Sequence, residues 1–317
     1  MKNYLTDVEG IKVGHAQSYD AMTGCSVIIC ENGATGGLDV RGSAPGTRET
    51  DIFKAEKLVD KVHAVVLSGG SAFGLEASTG VANFLEENNI GFDVGVTKVP
   101  IVSQAVLFDL IIGDYKVRPD KEMGYRAAKA ASSEEDSRGN VGAGTGATVG
   151  KALGPNLAMK GGLGSASIKV GELVVAALVA VNAVGDIYEN KKQIAGPYNI
   201  KEERLYSTMD YMKAKQNEIG FSNTNTTIGV IATNASLTKP QANKVAQVAH
   251  NGYARAINPV HTMSDGDSIF AMATNKIEAN MDLVSQLAAE VMELAIIDGI
   301  KNAKSYKNNL SWQEINK

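Results

Sequence analysis

The chain has 317 residues, enough to bury a core without a disulfide or metal staple. Hydrophobic residues make up 44% and charged ones 21%, a globular balance, and the net charge of -4 comes with no basic block, which speaks against a nucleic-acid partner. The opening MKNYLTDVEG has no apolar run, and the longest apolar stretch, LVVAALVAV at 173–181, is too short to span a bilayer; with only Cys25 and Cys30 as cysteines, a cytoplasmic protein without a membrane partner is expected.

Glycine clusters punctuate the first half. Residues 31–51, ENGATGGLDVRGSAPGTRETD, predict a loop, with glycines for positive φ and Pro45 to stiffen a turn. HAVVLSGGSAFG (63–74) reads as a buried strand ending in a tight turn, and LEASTGVANFLEE (75–87) as a helix with an apolar stripe at Leu75, Val81 and Leu85. Residues 99–114 are apolar with a proline near their start, and 124–140 predict a helix passing into a polar linker. A second glycine loop occupies 140–150, and 160–189 hold two consecutive strands. The polar stretch 192–225 predicts an exposed connector, partly helical or disordered. TTIGVIATNA (226–235) predicts a strand and 239–257 an amphipathic helix. A loop at 259–268 leads to a strand at 269–274, and a long helix covers 281–300. The alternation predicts an α/β protein whose sheets are covered by helices.

Four places carry candidate chemistry. Ser71 lies on a strand-to-helix turn, the setting of a hydrolase nucleophile, with His250 or His261 as a candidate base; Gly69 fits the G-x-S-x-G spacing, but Phe73 stands where the second glycine belongs, and Ser71 serves equally as a helix cap. Gly142, Gly144 and Gly146 are spaced by twos, unlike a dinucleotide fingerprint, so this loop predicts a pocket lining and no cofactor. His15, His63, His250 and His261 form no metal-ligand pattern, and Asp265-Gly266-Asp267 lacks the further carboxylates and closing Glu of a calcium loop, so no metal is expected. Finally, Asn225-Thr226-Thr227 sits where the connector meets a strand. A Thr hydroxyl there can attack the preceding carbonyl, shift the acyl group from nitrogen to oxygen and leave an ester for water. The freed α-amine, with an ordinary pKa near ~8, can then serve as base for its own hydroxyl. Asn and Thr are also ordinary strand openers, and the local sequence alone does not separate the two readings.

The order of longer strings decides more. VEGIKVGH, TGCSVII, LDVRGSAPGTRETD, AVVLSGGSAFGLEA, VPIV, AVLFDL, GNVGAGTGATVGK, KGGLGSAS, VAVNAVGD, NTTIGVIATNA and ARAINPVHT with the following DGD run in one order over most of the chain. In this the chain resembles the DmpA-type aminopeptidases, self-processing N-terminal-nucleophile hydrolases that include nylon-oligomer hydrolase and β-peptidyl aminopeptidases. The resemblance implies a four-layer α/β/β/α sandwich forming a single domain over 1–317, cleaved at Asn225–Thr226 into fragments 1–225 and 226–317 that stay together. It implies Thr226 as nucleophile, oriented by Asp265 and Asp267, which lie 39 and 41 positions downstream. It further implies Asn182 as an oxyanion donor and Lys160 as a charge near the nucleophile. The implied substrate is a small peptide or amino-acid amide, with no cofactor, and the implied assembly a homo-oligomer of cleaved pairs. Some family members carry a substrate-contacting Tyr after the Val-Pro dipeptide; SQAVLFDL offers none, and Val106 lies near the matching place. Thr226 with two Asp residues leans toward the nylon-hydrolase branch. The rivals are a Ser71 hydrolase and an uncleaved small-molecule binding or acyl-transfer protein on the same scaffold.

Overall fold

A computed structural model describes residues 1–216 and 225–316. Among the described residues nine strands join in one hydrogen-bonded sheet. They are β1 (Lys12–Ser18), β2 (Thr23–Val40), β3 (Gly46–Arg48), β4 (Lys61–Ser68), β5 (Val102–Val106), β6 (Leu163–Val170), β7 (Leu173–Ala180), β8 (Ile228–Ala235) and β9 (Ser268–Ile277). The order is β6-β7-β8-β9-β2-β4-β5-β3, with β1 paired to β2. The longer helices are α1 (Ala77–Glu87), α2 (Lys121–Lys129), α3 (Thr208–Ala214), α4 (Lys239–Ala256) and α5 (Met281–Asn302).

The apolar pattern of the strands stacks this sheet into layers. Along β7, Val175, Ala177 and Val179 face one core and Val174, Ala176 and Leu178 the other, as the two-residue strand period requires. The first core holds Val245, Ala249, Val291 and Ala295 from α4 and α5. The second joins Leu178, Val230 and Phe270 to Ile28, Val65 and Leu67, so the two halves of the sheet lie face to face. A third core sets Val27, Ile29, Ala64 and Val66 against Val81 of α1 and Ala127 of α2. The sequence of layers is α4/α5, β6–β9, β1/β2/β4/β5, α1/α2: the four-layer α/β/β/α sandwich. Each half is apolar on both faces, which is why the strands read as unbroken hydrophobic runs.

Local signals start the helices as the sequence dictates. Asp120 accepts the Met123 N–H (2.8 Å) at the head of α2, and Asn280 accepts the Leu283 N–H (3.1 Å) at the head of α5. At α4 the Gln241 side chain accepts the Thr238 N–H (2.8 Å), and Pro240 occupies the first turn, where no helical N–H bond is lost. α5 is a core element, with Val291, Met292, Ala295 and Ile296 buried.

Two predicted stretches differ from the structure. Residues 31–40, expected as loop, are the second half of β2. Gly36 and Gly37 serve packing instead of turning: a Cβ on Gly37 would run into the backbone of Ala242, so its absence lets α4 lie against the strand. The connector, expected as partly helical or disordered, differs by its short strands at Lys192–Ala195, Tyr198–Asn199 and Arg204–Leu205, while α3 after them is the helical part. The rest of that prediction, residues 217–224, lies outside the described residues.

Candidate active site

The site is built where β7, β8 and β9 share one end. β8 and β9 run parallel with Ile228 beside Ser268, so the residues just before each strand, Asn225–Thr227 and Asp265–Asp267, emerge side by side. A backbone bridge joins Asn225 to Asp265. β7 is antiparallel to β8 with Ala180 opposite Ile228, which carries Asn182 to the same place; the Thr226 N–H donates to the Asn182 carbonyl (3.1 Å). Thr226, Asn182, Asp265 and Asp267, distant in sequence, are thus buried together.

The Thr226 hydroxyl donates to the carbonyl oxygen of Asn225, the residue before it. The Gly266 N–H points at the same pair, 3.1 Å from the Asn225 carbonyl oxygen and 3.2 Å from Thr226 Oγ1. Gly266 permits this close approach by having no side chain. A Cβ there would lie 2.7 Å from the Ala44 carbonyl oxygen, 2.9 Å from Thr226 Oγ1 and 3.0 Å from Pro45 Cα. The loop behind it is held by backbone bonds from Ala44 to Asp265 (2.8 Å) and from Arg41 to Asp267 (3.0 Å). Gly266→Ala is therefore expected to lower stability by about 1–3 kcal/mol, the usual cost of overpacking, and to displace the hydroxyl; urea unfolding together with intact mass checks both.

The two carboxylates differ in their surroundings. Asp267 Oδ1 accepts the Thr227 N–H (2.8 Å), and its Oδ2 accepts both the His261 N–H (3.2 Å) and the His261 ring at Nδ1 (2.9 Å). Asp265 Oδ2 accepts the Thr262 N–H (2.7 Å), while its Oδ1 is buried with no hydrogen-bond partner among the described residues. Burial first, and then the charge of Asp267, push Asp265 up to about 6.

A buried lysine completes the arrangement, and it is not the one named from sequence. Lys151 Nζ donates to the Asn182 side-chain oxygen (2.7 Å) and to the Asn182 main-chain oxygen (3.0 Å), the latter also being the acceptor for Thr226. Burial brings its pKa down to about 7 against the opposing pull of Asp265, Asp109 and Asp267. Lys160 instead donates to the carbonyls of Gly144 (3.2 Å), Ala147 (2.7 Å) and Gly161 (2.9 Å), tying the glycine loop to the strand that follows. Its burial likewise brings it down to about 7. The sequence reading passed over Lys151; the available signal was its place closing the glycine loop GNVGAGTGATVGK.

The Asn182 amide is oriented by its neighbours. Its oxygen accepts from Thr148 N–H (3.0 Å) and Lys151, and its nitrogen donates to the Phe108 carbonyl (3.0 Å). In the segment without a Tyr, it is thus Phe108 that reaches the site, through its main chain; Val106 lies within β5 opposite Gly46 and Ser68. Ser71 has a left-handed backbone (φ 54°) and donates its N–H to Leu107 (3.0 Å). The two histidines named as its base are engaged elsewhere, His250 with the Asp39 carbonyl and His261 with Asp267. Among the described residues, no group of three or more His, Cys, Asp or Glu side chains is arranged to hold a metal ion, and no helix is long and apolar enough to cross a membrane.

Comparison with known proteins agrees with this architecture. The model of peptidase family S58 matches residues 3–310. An uncharacterized aminopeptidase of Mycobacterium leprae is 40% identical over 296 residues, covering 87% of this chain and 80% of the relative. A 6-aminohexanoate-oligomer endohydrolase of Kocuria sp. is 31% identical over 312 residues, covering 93% of this chain and 85% of the relative. The structure of the L-aminopeptidase D-Ala-esterase/amidase of Ochrobactrum anthropi, described as a variant of the Ntn hydrolase fold, superposes with a TM-score of 0.72 at 18% identity, covering 95% of this chain and 86% of that one.

Proposed function

The chain belongs to peptidase family S58 and is an amide hydrolase; from that premise we propose that it processes itself at Asn225–Thr226 and then uses the freed Thr226 as its nucleophile. The observation that supports this most is the setting of the Asn225 carbonyl, which has the Thr226 hydroxyl on one side and the Gly266 N–H on its oxygen (3.1 Å). Attack by Thr226 Oγ1 on the carbonyl carbon moves charge onto that oxygen, and one preorganised donor of this kind lowers a barrier by about 2.7–4 kcal/mol. The hydroxyl proton passes by way of the Asp265 carboxylate to the Thr226 nitrogen, the C–N bond breaks, and Asn225 is held as an ester. Water then adds to the ester carbonyl, returns a proton to Oγ1 and leaves the Asn225 carboxylate.

Hydrolysis of a substrate repeats the chemistry. The Thr226 amine takes the hydroxyl proton, Oγ1 attacks the substrate carbonyl, and the departing amine leaves with that proton. Water releases the acid. Asn182, held in place by Lys151, is the proposed donor to the substrate oxyanion, and Asp265 and Asp267 orient the nucleophile. The aminopeptidase and 6-aminohexanoate-oligomer relatives favour small peptides and amino-acid amides as substrates. Release of p-nitroaniline from alanine p-nitroanilide, or of 6-aminohexanoate from its short oligomers, tests the class; a processed protein inert toward both would overturn it.

After cleavage the fragments stay together in this reading, as one unit. β8 is paired on both sides, to β7 and β9, and Ile228, Val230 and Ile231 are fully buried, each contributing about 1.5–3 kcal/mol. Buried free thiols at Cys25 and Cys30 fit a reducing cytoplasm. The exposed apolar residues Phe92, Val94 and Val96 favour assembly into a homo-oligomer.

Asp265, pushed up to about 6, gives the processing reaction a pH dependence. The carboxylate must be deprotonated to accept a proton, so the rate rises with pH through that value. Processing is expected to be about tenfold slower one pH unit below it than well above it, following the fraction of base form. Intact-mass time courses on freshly synthesised chain check the slope; a rate flat across this range excludes Asp265 as the proton acceptor.

A further inference from the structure

His261 draws notice because nothing in the chemistry above requires it. It is a non-glycine residue in the left-handed region (φ 57°), a conformation that costs energy and persists where the surroundings enforce it. In that conformation its main-chain N–H and its ring Nδ1 both reach one oxygen of Asp267. The other oxygen of Asp267 holds the N–H of Thr227, next to the nucleophile. The far side of the ring is enclosed by α4: it stacks on Tyr253 (centroids 6.1 Å, 27°) and meets His250 edge-on (4.9 Å, 72°). His261 Nε2, His250 Nδ1 and Tyr253 Oη are all buried without a hydrogen-bond partner among the described residues.

The ionisable groups around the ring are few. Burial pushes His250 down to about 3, so it is neutral, and its Nε2 donates to the Asp39 carbonyl on β2. Burial pushes Tyr253 well above its usual range, so it is neutral too. Asp39 and Arg41 lie beyond His250, and Asp267 is the carboxylate that the His261 ring touches.

We propose that His261 is a positioning residue: its ring N–H clamps Asp267 so that the opposite carboxylate oxygen fixes the backbone beside Thr226, leaving Asp265 as the member of the pair that exchanges a proton. The inference rests on Thr226 being the nucleophile. It explains why the two carboxylates, alike in sequence, differ in donors, with three on Asp267 and one hydrogen-bonded oxygen on Asp265. The backbone strain at His261 goes with delivering two donors to one oxygen.

Three variants separate this role from packing and from backbone strain. His261→Asn keeps a donor at the same bond distance as Nδ1 and tolerates positive φ, but loses the ring. His261→Gly tolerates the backbone and loses both. His261→Phe keeps the ring and loses the donor. Full-length chain made by brief cell-free synthesis is followed by intact mass across the pH range of processing, with near-UV circular dichroism reporting the folded fraction. Positioning predicts that Asn processes within about threefold of the parent, while Gly and Phe are slowed about tenfold or more, the scale of a lost proton-transfer group. In those two the acid midpoint of processing also moves to higher pH, because a donor to the charged carboxylate pair is lost. Phe outperforming Asn would assign the residue to packing, and Asn equalling Gly would assign it to backbone conformation; either result overturns the proposal. A parent chain that is never cleaved overturns the Thr226 reading itself, and this inference with it.

Discussion

Thr226→Ala is expected to leave a single uncut chain, whereas the parent is expected to give fragments 1–225 and 226–317 in one-to-one ratio. The methyl side chain removes the hydroxyl placed to attack the Asn225 carbonyl while leaving β8 and its neighbours intact. Loss of a nucleophile that acts as part of a unit lowers rates by at least about a thousandfold, so both processing and substrate turnover should vanish from the assay. Thr226→Ser keeps the hydroxyl and should still be cut. Intact-mass spectrometry of the three proteins decides the matter. An Ala variant cut at the same bond, or an uncut protein that turns over substrate at the parental rate, would sink the proposal. The second outcome would bring Ser71 back into consideration.

Lys151 and Lys160 should respond in opposite ways. Lys151→Met keeps the bulk of the stem but removes both bonds to Asn182, at 2.7 and 3.0 Å. The Asn182 amide loses its anchor and the neighbouring acids lose their counter-charge, so processing and turnover are expected to fall about a hundredfold, the effect of losing one oxyanion donor. Lys160→Met removes a charged donor from three backbone carbonyls far more than it touches the reacting atoms. Its cost should appear in stability, about 3 kcal/mol or more by urea unfolding, with the folded fraction still processing at close to the parental rate. A stable Lys160→Met protein that fails to process would restore the catalytic role that family resemblance implies for Lys160.

What could be read in the sequence followed the range of each signal. β8, α4, β9 and α5 were legible because each carries its own apolar period, and the ordered motifs specified the layers. The second half of β2 was not, because Gly36 and Gly37 look like turn formers when the Phe53 ring and the helix that pack against them, respectively, are unknown. Thr226, Asn182, Asp265 and Asp267 were named by type and motif, and the parallel register of β8 and β9 supplies the reason they meet. Lys151 and Asn182 stand 31 positions apart with no periodicity to link them, so their contact is a product of the fold. Phe108 and Gly266 act through their main chains, which no reading of side-chain chemistry can rank. His261 was visible as a titratable residue, but its partner was not.

β2 runs through both stacked halves of the sheet, paired to β4 near Val27 and to β9 near Leu38. Neither half can loosen while the other stays closed, since each would have to release part of the same strand. In hydrogen-exchange experiments the amides of Val27 and Leu38 should therefore share one opening free energy and exchange as a single cooperative unit. The proposed cleavage at 225–226 lies outside this tie, so a processed molecule and its precursor should show the same slowest-exchanging core.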